Sequence, residues 1–172
     1  LEFRRVLFRS TLSVQNGRWI ELDAAARLNF TGAGTTPLLT GKANVFFRDG
    51  SDPAPAIAAT TPGATLTLDH DITVYGPLSG MARVGQDDTG LLNRGTVVGQ
   101  GGVLGITGTA WRNEGSIISN GFGLVALNGM AANAGTIQAA VGSAITTLGQ
   151  DLVNAAGGTI TGGGLLDLGD IA

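Results

Sequence analysis

The tripeptide Gln86-Asp87-Asp88 holds the residues best suited to chemistry, since paired carboxylates beside a scissile bond can act as acid and base. Asp-Asp-Thr-Gly is equally a good turn sequence just ahead of a strand. In Asp69-His70-Asp71, a strand would put both carboxylates on one face and His70, the only histidine, on the other. Two carboxylates can contribute to a cation site, but Ca²⁺ takes about six to eight oxygens. Gly162-Gly163-Gly164-Leu165-Leu166-Asp167 is a poor single copy of a calcium-binding glycine repeat. The stretch from Gly34 to Lys42 has the wrong spacing for a phosphate loop, with Ala43 where Ser or Thr is needed. No Gly-x-Ser-x-Gly elbow is present. Asn29-Phe30-Thr31 is a glycosylation sequon by pattern alone. The sequence therefore assigns no catalytic, cofactor-binding or metal-ligating residue, and Asp87 and Asp88 remain as candidate acids.

Whatever positions these residues is repetitive. Asn93-Arg94-Gly95-Thr96-Val97, Asn113-Glu114-Gly115-Ser116-Ile117 and Asn133-Ala134-Gly135-Thr136-Ile137 begin twenty residues apart. Asn154-Ala155-Ala156-Gly157-Gly158-Thr159-Ile160 follows after twenty-one. A short period in a glycine-rich, β-branched chain predicts an all-β fold, a right-handed parallel β-helix with about 20 residues per coil. Two residues before each Asn stand Leu91, Trp111, Ala131 and Leu152; four after the first three stand Val97, Ile117 and Ile137, joined by Ile160. Leu104, Leu124 and Ile145 lie nine before the later three, and Gly108, Asn128 and Gly149 five before. Apolar columns read as inward strand positions. Gly and Asn columns read as corners that tolerate positive φ. Stacked Asn side chains can also hydrogen-bond along the axis, because each amide carries a donor and an acceptor.

Residues 91–172 form the regular part, and Leu166 and Leu168 repeat the offsets of Leu104 and Ile106, so the chain is expected to be a fragment truncated mid-coil. Residues 11–90 read as degenerate coils. There Arg18-Trp19-Ile20-Glu21-Leu22, Thr65-Leu66-Thr67-Leu68 and Ile72-Thr73-Val74-Tyr75 alternate as strands, and Asn16-Gly17 is a variant corner. The turn-rich Asp49-Gly50-Ser51-Asp52-Pro53-Ala54-Pro55, extended to Gly63, predicts a loop projecting near 49–63. Any specificity is expected in this half. Residues 1–10 do not match the rest, and Leu7-Phe8-Arg9-Ser10 resembles the translation of a sequencing-adapter end, so an adapter-derived artefact is expected there. At about 20 residues per coil, residues 11–172 predict about eight coils and a rod about 40 Å long.

Composition fits. Hydrophobic residues are 43% but aromatics only 5%, so small aliphatic side chains must fill the core. Charged residues are 13%, low for a soluble domain, and glycines number 29. Net charge is −3, or −5 without the first ten residues, and Lys42 is the only lysine, which argues against a nucleic-acid partner. No apolar run is long enough for a transmembrane segment. With no cysteine, disulfides and thiolate metal sites are excluded.

The coil Asn-x-Gly-Thr/Ser-Ile/Val, with Asn-Ala-Ala-Gly-Gly-Thr-Ile-Thr-Gly-Gly-Gly over 154–164, resembles the repeats of bacterial autotransporter passengers and filamentous-haemagglutinin-type exoproteins. The resemblance implies a structural or adhesive β-helix stalk, secreted or attached at the bacterial surface, meeting host or environmental glycans or proteins, with no cofactor and no catalysis in this segment. One alternative is a β-helix carbohydrate-active enzyme, a polysaccharide hydrolase or lyase. Gln86-Asp87-Asp88 resembles the Gly/Gln-Asp-Asp element of parallel β-helix polygalacturonases, but the Asn-Thr-Asp, Gly-His-Gly and Arg-Ile-Lys elements are missing, and His70 precedes the Asp pair. Another alternative is an ice-binding solenoid, which needs a flat two-column Thr face. One outward column, Thr96, Ser116, Thr136 and Thr159, is uniform; its neighbour, Val98, Ile118, Gln138 and Thr161, is not.

Overall fold

The computed structural model describes residues 5–32, 36–50, 52–148 and 152–169. It is an all-β solenoid of about seven turns, with strands that pair in parallel and repeat roughly 22 residues apart. The turns number about seven where about eight were expected, and the mean spacing lies close to the expected 20. The regular part keeps spacings of twenty, but the upstream coils are longer: Asn44 lies beneath Thr73, and Thr73 beneath Thr96.

Each coil has three faces. The first carries Ile72–Tyr75, Thr96–Gly99, Ser116–Ser119, Thr136–Ala139 and Thr159–Gly162, stacked in that order. The second carries Arg27–Phe30, Ala56–Ala59, Met81–Gln86, Ala144–Thr147 and Leu165–Asp167, with residues 103–107 and 124–128 between Met81–Gln86 and Ala144–Thr147. The third is shorter, formed by Thr65–Leu68, Gly90–Asn93 and the ends of Val103–Asn113 and Leu124–Asn133. The expected upstream strands are all present, with residues 18–22 forming the end of Thr11–Leu22. Arg5–Phe8, set aside as foreign to the fold, pairs with Arg27–Phe30, and the Phe8 and Phe30 rings lie 5.5 Å apart.

Alternation follows from the pleat: every second side chain points inward. Val45, Val74, Val97, Ile117 and Ile137 form one continuous buried column, with Ile160 packed against its end. The column nine before the Asn needs one correction. Leu104 pairs with Val125, and Val125 with Ile145, so Val125 is fully buried while Leu124 faces outward. A register irregularity between Thr107 and Arg112 absorbs the difference, and the Asn spacing hides it. The side chain of Ala131 and all of Gly149 lie outside the described residues.

The corner glycines also differ from expectation. Among the described residues, neither the repeat asparagines Asn93, Asn113 and Asn133 nor Gly95, Gly115 and Gly135 have positive φ. Gly115 is required by proximity: a Cβ there would fall on the Gly95 carbonyl, and one on Gly135 on the Gly115 carbonyl. Left-handed glycines occur at other corners, among them Gly85 and Gly129 between the second and third faces and Gly80, Gly121 and Gly142 ahead of the second.

The expected projecting loop is divided. Ala56–Ala59 is a buried strand of the second face, which separates residues 60–64 from the described residues 48–50 and 52–55.

Candidate functional site

Asn93, Asn113 and Asn133 are buried, and the column is bonded through to the exposed Asn154. Asn93 Nδ2 donates to Asn113 Oδ1 (2.7 Å), Asn113 Nδ2 to Asn133 Oδ1 (2.8 Å), and Asn133 Nδ2 to Asn154 Oδ1 (2.8 Å). Asn154 Nδ2 ends the run on the Gly158 carbonyl (3.0 Å). Every amide points the same way, so the ladder is polar along the axis. One coil upstream the same position is held by Leu68, and before it by Leu39 and Leu12. Asn93 Oδ1 therefore meets an aliphatic neighbour and is buried with no hydrogen bond. Leu12, not Asn16, holds that register position in its coil, and the side chain of Asn16 lies outside the described residues. These residues are scaffold.

Asp69-His70-Asp71 forms a turn between Thr65–Leu68 and Ile72–Tyr75 and does not lie on a strand. The Asp69 carboxylate accepts the Thr40 hydroxyl (2.5 Å), the His70 backbone N–H (3.0 Å) and contacts His70 Nδ1 (3.0 Å). Its pKa is lowered from 3.8, first by the Thr40 hydrogen bond and then by those from His70. This is a carboxylate stapling two coils. Among the described residues no three His, Cys, Asp or Glu side chains gather in a metal-binding group. Asn29 of the sequon is buried in a strand. Lys42 lies in the strand Leu38–Phe47, and Gly34 lies outside the described residues.

Asp87 and Asp88 occupy a tight turn after Met81–Gln86, closed by the Thr89 N–H and hydroxyl on the Gln86 carbonyl (3.1 and 3.0 Å). The turn sends the two carboxylates apart. Asp88 accepts Gln86 Nε2 (2.7 Å), whereas Asp87 accepts the Thr107 hydroxyl of the next coil. Asp87 alone of the pair lines a cleft of about 400 Å³ on the second face.

Sequence reading missed this cleft. Its floor holds Arg27, Ala56 and Arg83 of one outward column, which continues through Gly105 and Ala126 in the next coils. Ala56 contributes only a methyl between two arginines and is buried at the base of the cleft. One wall is Asp52-Pro53-Ala54, the other Gln86-Asp87 with Thr107. A smaller hollow of about 210 Å³ shares Met81, Arg83, Asp87 and Thr107 and reaches Asn128. Together they make a groove along the axis. A larger hollow of about 580 Å³ lies over Phe8, Leu12, Val14, Ile20 and Leu28, the inward side chains of the first coils. Its lining is mostly apolar and offers no group set for chemistry. Set against known proteins, the chain matches no family model, no curated protein and no solved structure.

Proposed function

We propose that this chain is a structural and adhesive segment, a rigid solenoid that displays a binding groove on one face. The observation that supports it most is the unbroken inward stack with its Asn ladder, which spans four coils and leaves the outward faces free to vary. Such a rod suits a stalk on a secreted or surface-attached bacterial protein, in keeping with the exoprotein resemblance of its repeats. Contacts to glycans or proteins are then multivalent, gained by repeating weak sites along a stiff support.

A carbohydrate-active enzyme is the second reading, favoured by one observation: Asp52 and Asp87, from neighbouring coils, line the same cleft. Incubating the chain with soluble polysaccharides and measuring both retention and new reducing ends separates the two. The adhesive reading expects retention without cleavage. Cleavage that disappears in Asp87→Ala would establish the enzyme instead. The ice-binding reading asks for two uniform Thr columns. The outward register gives Thr73, Thr96, Ser116, Thr136 and Thr159 in one and Tyr75, Val98, Ile118, Gln138 and Thr161 in the other, so we set it aside.

A further inference from the structure

We infer that the second-face cleft is a subsite for an uncharged, hydroxyl-rich polysaccharide lying along the solenoid axis, with Arg27, Arg83 and Asp87 as its polar contacts. The inference rests on the adhesive reading and names its ligand class. Arg48 pairs with Glu21, and Arg94 and Arg112 both pair with Glu114. Arg27 and Arg83 have no hydrogen bond or ion pair from their side chains among the described residues, yet both line the cleft. Their strands are two coil steps apart through Ala56, about 9–10 Å at strand spacing. The gap between them is long enough for more than one small polar unit and is open along the axis.

The chemistry of the lining selects among polymers. Asp52 and Asp87 sit in the same cleft as the two arginines, so the formal charges cancel. An anionic chain or nucleic acid would gain from Arg27 and Arg83 only what it lost against the carboxylates. Sugar hydroxyls both donate and accept. Planar guanidinium, carboxylate and amide groups, here Arg27, Arg83, Asp87 and Gln86, can each bind adjacent hydroxyls through two parallel hydrogen bonds. The floor beyond Arg83 is Gly105 and Ala126, which lets an extended chain continue over the coils without obstruction.

The test is affinity electrophoresis of the whole chain in gels containing soluble β-glucan, galactomannan or polygalacturonate. A neutral gel is expected to retard the chain more than polygalacturonate. Arg27→Ala and Arg83→Ala should each weaken that retardation about tenfold or more, the scale of a lost hydrogen bond from a charged group. Arg112→Ala, paired on another face, should bind like the unaltered chain. Circular dichroism checks that each variant keeps its β signal, and Arg83→Lys supplies a charge-preserving form expected to recover only part of the affinity. Retardation unaffected by both alanine variants would overturn the cleft while leaving adhesion elsewhere intact. Preferential, salt-sensitive binding to polygalacturonate would overturn the ligand class. If no gel retards the chain, the subsite is refuted; retention on protein-coated surfaces would then decide separately whether the adhesive reading survives.

Discussion

At the residue scale, the cost of losing an asparagine should depend on its place in the ladder. Asn113→Leu strands Asn133 Oδ1 on one side and leaves Asn93 Nδ2 on the other with only its long bond to the Ser116 carbonyl (3.4 Å). Each buried group left unpaired costs about 1–3 kcal/mol, so a loss of about 2–5 kcal/mol is expected. Asn93→Leu breaks one rung and also removes the orphaned Oδ1, continuing the aliphatic column of Leu39 and Leu68. It should cost under about 1 kcal/mol, once added apolar burial is counted. Thermal unfolding should therefore rank Asn113→Leu well below Asn93→Leu; equal losses would mean that the ladder contributes no cooperative bonding. Gly115→Ala tests the close approach of coils. Its methyl would meet the backbone of Gly95 and Arg94, and the overpacking cost should be about 3 kcal/mol. Gly63→Ala has open space around it and strains only its own φ, so about 1 kcal/mol is expected.

Asp69 sets a pH dependence at the same scale. Its folded pKa is depressed, so its contribution is complete above its ordinary 3.8 and is lost as pH falls through the lower folded value. Asp69→Asn should leave a flatter acid limb in a plot of melting temperature against pH. Thr40→Val should flatten it in part, because the Thr40 hydroxyl is the largest cause of the shift. An acid limb identical in all three proteins would mean that other carboxylates govern acid unfolding. The repeat asparagines and their ladder were legible in the sequence because their spacing is regular and one amide can serve as both donor and acceptor. Their corner conformation was not: Gly115 looks the same in sequence whether it serves a left-handed turn or a close backbone approach.

At the scale of elements, the misread segments share a cause. Ala56–Ala59 is a strand with one β-branched residue, flanked by Pro55 and Thr60, so propensity alone marks it as loop. Tertiary pairing on both sides makes it a strand, with Arg27–Phe30 before it and Met81–Gln86 after it. Leu124 was misplaced by one position because the counting was tied to Asn while the register shifts within Val103–Asn113. The cleft could not be read at all: Arg27 and Arg83 share a column only through the Ala56 register, and the upstream coil lengths are irregular. Aromatic stacking between coils is also an element-level feature. The Phe46 and Tyr75 rings stack at 4.7 Å and 6°, matching the coil spacing of about 4.8 Å. Tyr75→Ala should remove about 1 kcal/mol of pairing beyond lost burial, and a Phe46→Ala/Tyr75→Ala double-mutant cycle measures that coupling. Additive losses would show that the rings do not act as a pair.

At the scale of the whole molecule, a solenoid separates two demands that a compact domain must satisfy together. The inward columns and the ladder carry stability from coil to coil, and the outward columns vary without disturbing them. The regular half, with Val97, Ile117 and Ile137 inward, was readable because each coil repeats the same solution. The half that carries the cleft departs from the repeat, and a departure has no period by which to recognise it. Among the described residues no helix is long and apolar enough to cross a membrane.

Hydrogen exchange of the intact chain, followed with and without soluble β-glucan, tests this division most directly. The account predicts slow exchange through Thr96–Gly99, Ser116–Ser119 and Thr136–Ala139 in both conditions, as expected of a cooperative core. Added protection on glycan binding should be confined to the second face, at Arg27–Phe30, Ala56–Ala59, Met81–Gln86 and the turn at Asp87. Rapid exchange in the ladder coils, or glycan protection on the first face instead of the second, would contradict it.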